Sequence, residues 1–226
     1  MEQLGFSNEW DEKYQANTHM SIWPWSDLVS YILRYARPLN APMCNVLELG
    51  IGAGANVPFF QWLGVNYKAV DGSPAIIQEL KNKFPELTEN FKVADFTCEI
   101  PFDGFFDIIV DRASLTHNDT ESIRRSLSII QGKMSKGASF IGIDWFSTSH
   151  SDFKLGTPLL ADSFTCSNFE SGQFAGVGKV HFSNKEHILD LFKGFEVKIL
   201  EQKIISKSIP NDSHIFASWN IHAVKK

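Results

Sequence analysis

Val46-Leu47-Glu48-Leu49-Gly50-Ile51-Gly52-Ala53-Gly54 decides how this chain is read. A short apolar run carries one acid and ends in three alternating glycines. Asn56-Val57-Pro58-Phe59-Phe60 follows as the predicted start of a helix, with Asn56 as its expected cap and Pro58 tolerated in the first turn. Strand, glycine loop and helix in this order bring backbone close to a bound ligand in α/β proteins. Glycine is needed where the turn takes positive φ or where the ligand lies against the chain.

The same alternation recurs downstream. Tyr67 to Asp71 reads as a second strand, and Ser73-Pro74 as a cap followed by proline at the first helical position. Ile76, Ile77 and Leu80 give that helix its buried face. Phe91 to Ala94 is a short third strand, Phe106 to Val110 a fourth, and Ser139 to Asp144 a fifth. The fourth is continuously apolar, as suits a parallel strand covered on both faces. A helix is predicted from Ser26 to Arg37, stopped by Pro38, and another from Thr120 to Met134. Ser183-x-x-Glu186 is a capping-box pattern opening a helix that Gly194 ends. Phe195 to Leu200 and Ile215 to Ala223 alternate apolar and polar residues, which suits an antiparallel pair. Repeated βα units followed by a terminal hairpin make an α/β fold with a mostly parallel sheet.

Gly50-x-Gly52-x-x-Ala55 fits the dinucleotide fingerprint, so an NAD(P)-dependent oxidoreductase is one reading. Glu48-x-Gly50-x-Gly52-x-Gly54 also resembles, more closely, motif I of the class I S-adenosylmethionine (SAM) methyltransferases. Asp71 suits the ribose hydroxyls of either cofactor. Asp95-Phe96 matches the family's adenine-binding acid and its apolar neighbour, and Asp107 to His117 resembles the family's motif IV. The resemblance implies a three-layer sandwich with a seven-stranded, mostly parallel sheet ending in an antiparallel hairpin. It also implies SAM as cofactor, with Glu48, Gly50, Gly52, Asp71, Gly72, Ser73, Asp95, Phe96, Asp111 and Arg112 at its site. The Asn/Asp-Pro-Pro-aromatic signature of nucleobase and glutamine methylation is missing after Val110. That lowers those substrate classes, and the expected acceptor is a small polar molecule methylated at a hydroxyl, such as a sugar, a sugar nucleotide or a similar metabolite. His117 is the expected base, with Asp144 and His181 as further choices. A non-catalytic SAM-binding protein of the same fold is the other alternative.

Two regions stand outside the repeats. Residues 1–40 are expected to form a helical cover, with Trp23 and Trp25 against the cofactor's sulfonium. Trp145 to Phe182 lacks periodicity yet is rich in phenylalanine and glycine. That insertion after the fifth strand is read as a cap over the acceptor, hinged near Gly172, Gly176 and Gly178.

With 226 residues, 43% of them hydrophobic, the chain suits a single domain with a sizeable core. A net charge of −5 argues against a nucleic-acid partner. Three widely spaced cysteines offer no disulfide framework or zinc spacing, so no metal and a reducing, cytoplasmic setting are expected. The first residues do not read as a signal peptide, and no apolar run is long enough to span a membrane. A small-molecule acceptor is the expected partner.

Overall fold

The structure is a computed structural model that describes residues 8–16, 20–38 and 41–226. In chain order its elements begin with α1 (Asn8–Gln15), α2 (Ser26–Tyr31), β1 (Asn45–Leu49), α3 (Val57–Leu63), β2 (Asn66–Asp71) and α4 (Pro74–Lys83). There follow β3 (Phe91–Val93), β4 (Phe106–Arg112), α5 (Thr120–Lys133) and β5 (Met134–Phe146). A small excursion holds β6 (Thr157–Leu159), β7 (Asp162–Ser167) and β8 (Val180–His181), before α6 (Lys185–Leu191), β9 (Phe195–Ser206) and β10 (Ile215–Lys225).

The main sheet has seven strands in the order β3-β2-β1-β4-β5-β10-β9. All pairs from β3 to β5 are parallel, and β10 runs antiparallel between β5 and β9. The chain steps outward from β1 to β3, then crosses back to lay β4 on the other side of β1. That reversal opens a crevice at the carboxyl ends of β1 and β4, the usual ligand position in open α/β sheets.

Side-chain alternation along the strands builds two cores, one on each face. Leu47, Leu49 and Ile109 pack on the face covered by Ile123, Leu127 and Ile130 of α5 and Ile188 of α6. Val46, Ile108 and Val110 pack on the other, under Leu28 of α2, Phe60 of α3 and Ile76 and Leu80 of α4. Three layers result, and β1 is apolar on both sides because both sides are covered.

The expected caps divide. Ser73 accepts from the Ile76 amide and Asp119 from the Ser122 amide, so α4 and α5 start as side-chain caps require. Asn56 makes no cap bond, because its side chain is drawn into the site described below. The Ser183 capping box is also replaced. Asn184 caps α6, accepting from the His187 amide at 2.8 Å, while the Ser183 hydroxyl lies 3.1 Å from His181 Nε2. The predicted helix from Ser26 continues past Tyr31 as a π-helical turn over Ile32–Ala36, and Arg37 at φ 45° ends it before Pro38.

The segment after β5 is more regular than its sequence suggests. β6, β7 and β8 form an antiparallel sheet over a cluster of Phe146, Phe169, Phe174, Val180 and Phe182. Its strands are too short and too polar for alternation to register. Gly172 has φ +81°, but a Cβ there would meet Asp152 Oδ2 at 2.4 Å, so close packing is the demand on that glycine.

Candidate active site

A cavity of about 320 Å³ lies over the carboxyl ends of β1, β2 and β4. Its floor is the glycine turn. Gly50, Gly52 and Gly54 take φ +67°, +50° and +77°, a region that side chains disfavour. Gly50 also has no room for one: a Cβ would stand 2.3 Å from Ser114 Cβ. Gly54 is tight in the same way against Leu80, at 2.6 Å. The turn therefore packs β4's exit against β1's while leaving backbone on the cavity side.

Buried carboxylates surround that turn. Asp71 is 4% exposed and accepts from the Gly52 amide at 2.9 Å and the Ser73 amide at 3.0 Å. Burial pushes its carboxyl up to about 6, against the pull of those amides. Each oxygen retains acceptor capacity, so a vicinal diol fits here. Glu48 is 2% exposed; it accepts from Asn56 Nδ2 at 2.7 Å and from the Tyr67 hydroxyl. Burial raises it to about 7, with the hydrogen bonds acting the other way. Asp95 and Phe96 line the far end, with Asp95 Oδ1 accepting from the Thr97 amide and hydroxyl. Gly72 also lines the cavity; Ser73 does not, and serves as the α4 cap and a partner of Asp11.

The end nearest β4 is aromatic and basic. Trp25, Arg112, His117, Trp10 and Tyr14 line it. The Arg112 guanidinium stacks 3.6 Å over the Trp25 ring, and its Nη2 lies 3.1 Å from Asp144 Oδ2. The Trp10 ring meets His117 edge-on at 4.7 Å. His117 Nδ1 lies 3.3 Å from the Lys179 carbonyl.

Besides Ser73, four expected site residues stand away from the cavity. Trp23 is 73% exposed and away from the cavity, because Pro24 separates it from the Trp25 that turns inward. Asp111 is fully buried behind the wall, accepting from Trp145 Nε1 at 2.7 Å and the Leu115 amide at 3.0 Å. It fastens β4's end to β5 and is not a cavity group. Asp144 is also off the cavity. Its oxygens are taken by Arg112, by Lys203 Nζ at 2.5 Å and by the Ser218 hydroxyl, which leaves it a brace for Arg112 and no base. His181 is wholly buried between Thr165 and Ser183, and burial pushes it down to about 3, so it stays neutral and out of reach of an acceptor.

Asn56 is the site residue that the sequence pattern misassigned. Its amide donates to Glu48, and its carbonyl oxygen accepts from the Trp25 amide at 3.3 Å, tying the N-terminal cover to the buried acid. Its position at a helix start is the very signal that suggested a cap.

Among the described residues one grouping offers metal-ligand atoms, His150, Asp152 and His214. The Asp152 amide donates to His150 Nδ1 at 3.0 Å, which puts the ring proton on Nε2. The Asp152 carboxylate is likewise engaged, by His214 Nε2 at 2.9 Å and the Gln173 amide at 2.8 Å. The trio reads as a hydrogen-bonded brace at the root of the excursion after β5.

A cavity with a buried carboxylate at the end of β2, an acid–aromatic pair after β3 and a glycine turn leading from β1 into α3 has the groups to hold an adenosine ligand with an amino-acid tail. With the antiparallel β10 completing the sheet, the fold is the α/β Rossmann-like fold of the methyltransferases. Residues 46–137 match the family model described as a methyltransferase domain, which supports a class I SAM-dependent methyltransferase with SAM as its cofactor. Solved structures share the whole fold at low identity. A SAM-dependent methyltransferase from Methanosarcina mazei aligns with TM-score 0.67 and 16% identity, over 90% of this chain and 98% of that one. The 1,6-didemethyltoxoflavin-N1-methyltransferase of Burkholderia thailandensis, with 1,6-didemethyltoxoflavin and S-adenosylhomocysteine bound, aligns with TM-score 0.65 and 15% identity over 97% and 84%. A Rhodobacter sphaeroides chain named as a putative zinc-dependent alcohol dehydrogenase aligns with TM-score 0.68 and 12% identity over 98% and 100%. Such identities speak to fold alone. Among curated proteins, none matches the sequence.

Proposed function

We propose that this chain transfers the methyl group of SAM to a hydroxyl of a small polar acceptor, such as a sugar, a sugar nucleotide or a similar metabolite. The observation that carries this reading is that His117 and Arg112 line the same cavity as Trp10 and Trp25. Asp71 takes the ribose hydroxyls, Asp95 and Phe96 the adenine, and Gly50, Gly52 and the Glu48–Asn56 pair the methionine side. SAM supplies a methyl carbon on a sulfonium, already activated for displacement.

Positioning then does much of the work. Trp25 and Trp10 keep water from the reacting end, and an aromatic face suits a sulfonium. His117 would take the proton of the acceptor hydroxyl, and bound SAM would supply the electrophilic methyl group with a neutral thioether as leaving group. Arg112, held by Asp144, is placed for an anionic group of the acceptor or the methionine carboxylate. The cap over residues 145–182 bounds the acceptor side.

Calorimetry with SAM, S-adenosylhomocysteine and NAD tests the cofactor site; tight NAD binding without SAM binding would overturn the reading. Methyl transfer followed by mass spectrometry across hydroxyl and amine acceptors tests the rest. The Burkholderia neighbour is named for methylation at nitrogen, so amines belong in that panel. With an active hydroxyl acceptor, His117→Gln is expected to lower kcat by about 10²–10⁴-fold.

A further inference from the structure

We propose that Lys179, held in place by Asp119, is a positioning residue that decides which nitrogen of His117 carries the proton. Its value to catalysis rests on His117 being the base proposed above.

Trp10, Phe146 and the Lys179 carbonyl are among the groups around the His117 ring. Trp10 at 4.7 Å and Phe146 at 6.0 Å confine it from α1 and from β5, but apolar ring edges do not dictate where its proton sits. The Lys179 carbonyl, 3.3 Å from Nδ1, does. A carbonyl oxygen can only accept. The nitrogen facing it must carry hydrogen, and a neutral imidazole then keeps its lone pair on Nε2.

Lys179 is well anchored for this task. It immediately precedes β8, whose Val180 and His181 pair with Cys166 and Thr165 of β7. Its ammonium lies 2.9 Å from Asp119 Oδ2. Asp119 is itself fixed, because its other oxygen accepts from the Ser122 amide at 2.9 Å as the α5 cap. The ion pair thus staples the cap segment to the same stretch that carries His117, two residues before Asp119. Burial raises the Asp119 carboxyl and the Lys179 ammonium lowers it, with a net shift downward. An exposed ion pair of this kind contributes little to stability. Holding a carbonyl against a histidine is a geometric task, for which that small contribution suffices. The cap therefore does more than cover: with the cap docked, His117 presents an unprotonated Nε2.

The test reads the ring nitrogens directly. Protein labelled with ¹⁵N-histidine is measured by long-range ¹H–¹⁵N correlation at pH 8, with S-adenosylhomocysteine added, and His117→Gln assigns the signals. Wild type is expected to show His117 protonated at Nδ1 and unprotonated at Nε2. Lys179→Ala should move both nitrogens toward averaged positions, and Lys179→Arg should restore the wild-type pattern. Asp119→Asn removes the ion pair while keeping a good helix cap, so it guards against a folding artefact. It should shift the pattern as Lys179→Ala does, with the melting temperature nearly unchanged. A wild-type ring protonated at Nε2, or a pattern unmoved by both variants, would overturn the proposal. Full methyl transfer by His117→Gln would instead remove the base role proposed above, while the nitrogen pattern alone decides the clamp.

Discussion

Asp71 shows how one residue serves both fold and site. Two amides hold its carboxylate at the cavity wall, and burial lifts it to about 6. Asp71→Asn is expected to weaken S-adenosylhomocysteine binding by about 10–100-fold, the scale of a hydrogen bond to a charged group. Wild-type affinity should also fall as pH drops through about 6, while the Asn variant stays flat; calorimetry across pH 5 to 8 checks both. Glu48 gives a stability counterpart. Its folded value of about 7 lies above that of an unfolded glutamate, so its contribution is present at acid pH and is lost as pH rises through about 7. Glu48→Gln should therefore melt higher than wild type at pH 8, the gap closing toward pH 5. Gly50→Ala meets both a positive φ and the Ser114 contact, and is expected to lower stability by at least about 1–3 kcal/mol and to abolish cofactor binding. The glycines and Asp71 were legible from spacing. Asn56 was not, since a cap and a buried amide partner look alike in one dimension.

At the scale of elements, the ends of β4 and β5 are bound by polar groups within the core. Asp111 accepts from Trp145 Nε1, and both residues are fully buried. Trp145→Phe strands that carboxylate and should cost about 1–3 kcal/mol beyond the lost packing, measured by denaturant unfolding. The cover behaves as a second element-scale device. Trp25 stacks on Arg112, Asp27 reaches Lys203 at 2.7 Å, and Lys203 reaches Asp144. Trp25→Ala is expected to weaken S-adenosylhomocysteine binding, whereas Trp23→Ala leaves it unchanged; calorimetry on the pair separates the two tryptophans. Sequence placed both on the same segment. It could not tell them apart, because facing inward is decided by what the segment docks against.

For the whole molecule, α1 and the small sheet after β5 converge on one opening. Trp10 of α1 packs against the cap's phenylalanine cluster and touches His117. Cofactor and acceptor together should slow tryptic cleavage at Lys179, and unchanged cleavage would count against a closing cap. A cavity of about 320 Å³ is at the small end for a ligand site, so such movement suits the entry of two ligands.

The order of strands and helices, the glycine turn and the acids at successive strand ends were determined by the sequence alone. These depend on local periodicity and on which residues tolerate a given backbone, and both are written in consecutive positions. Only the tertiary structure decided that Asp111, Asp144 and His181 are braces, that Trp25 and not Trp23 faces the cavity, and that a small sheet organises the segment after β5. It also set Lys179 against His117, 62 positions apart. Burial, ion pairing and tautomer choice come from groups brought together by the fold, and no spacing in the chain encodes them.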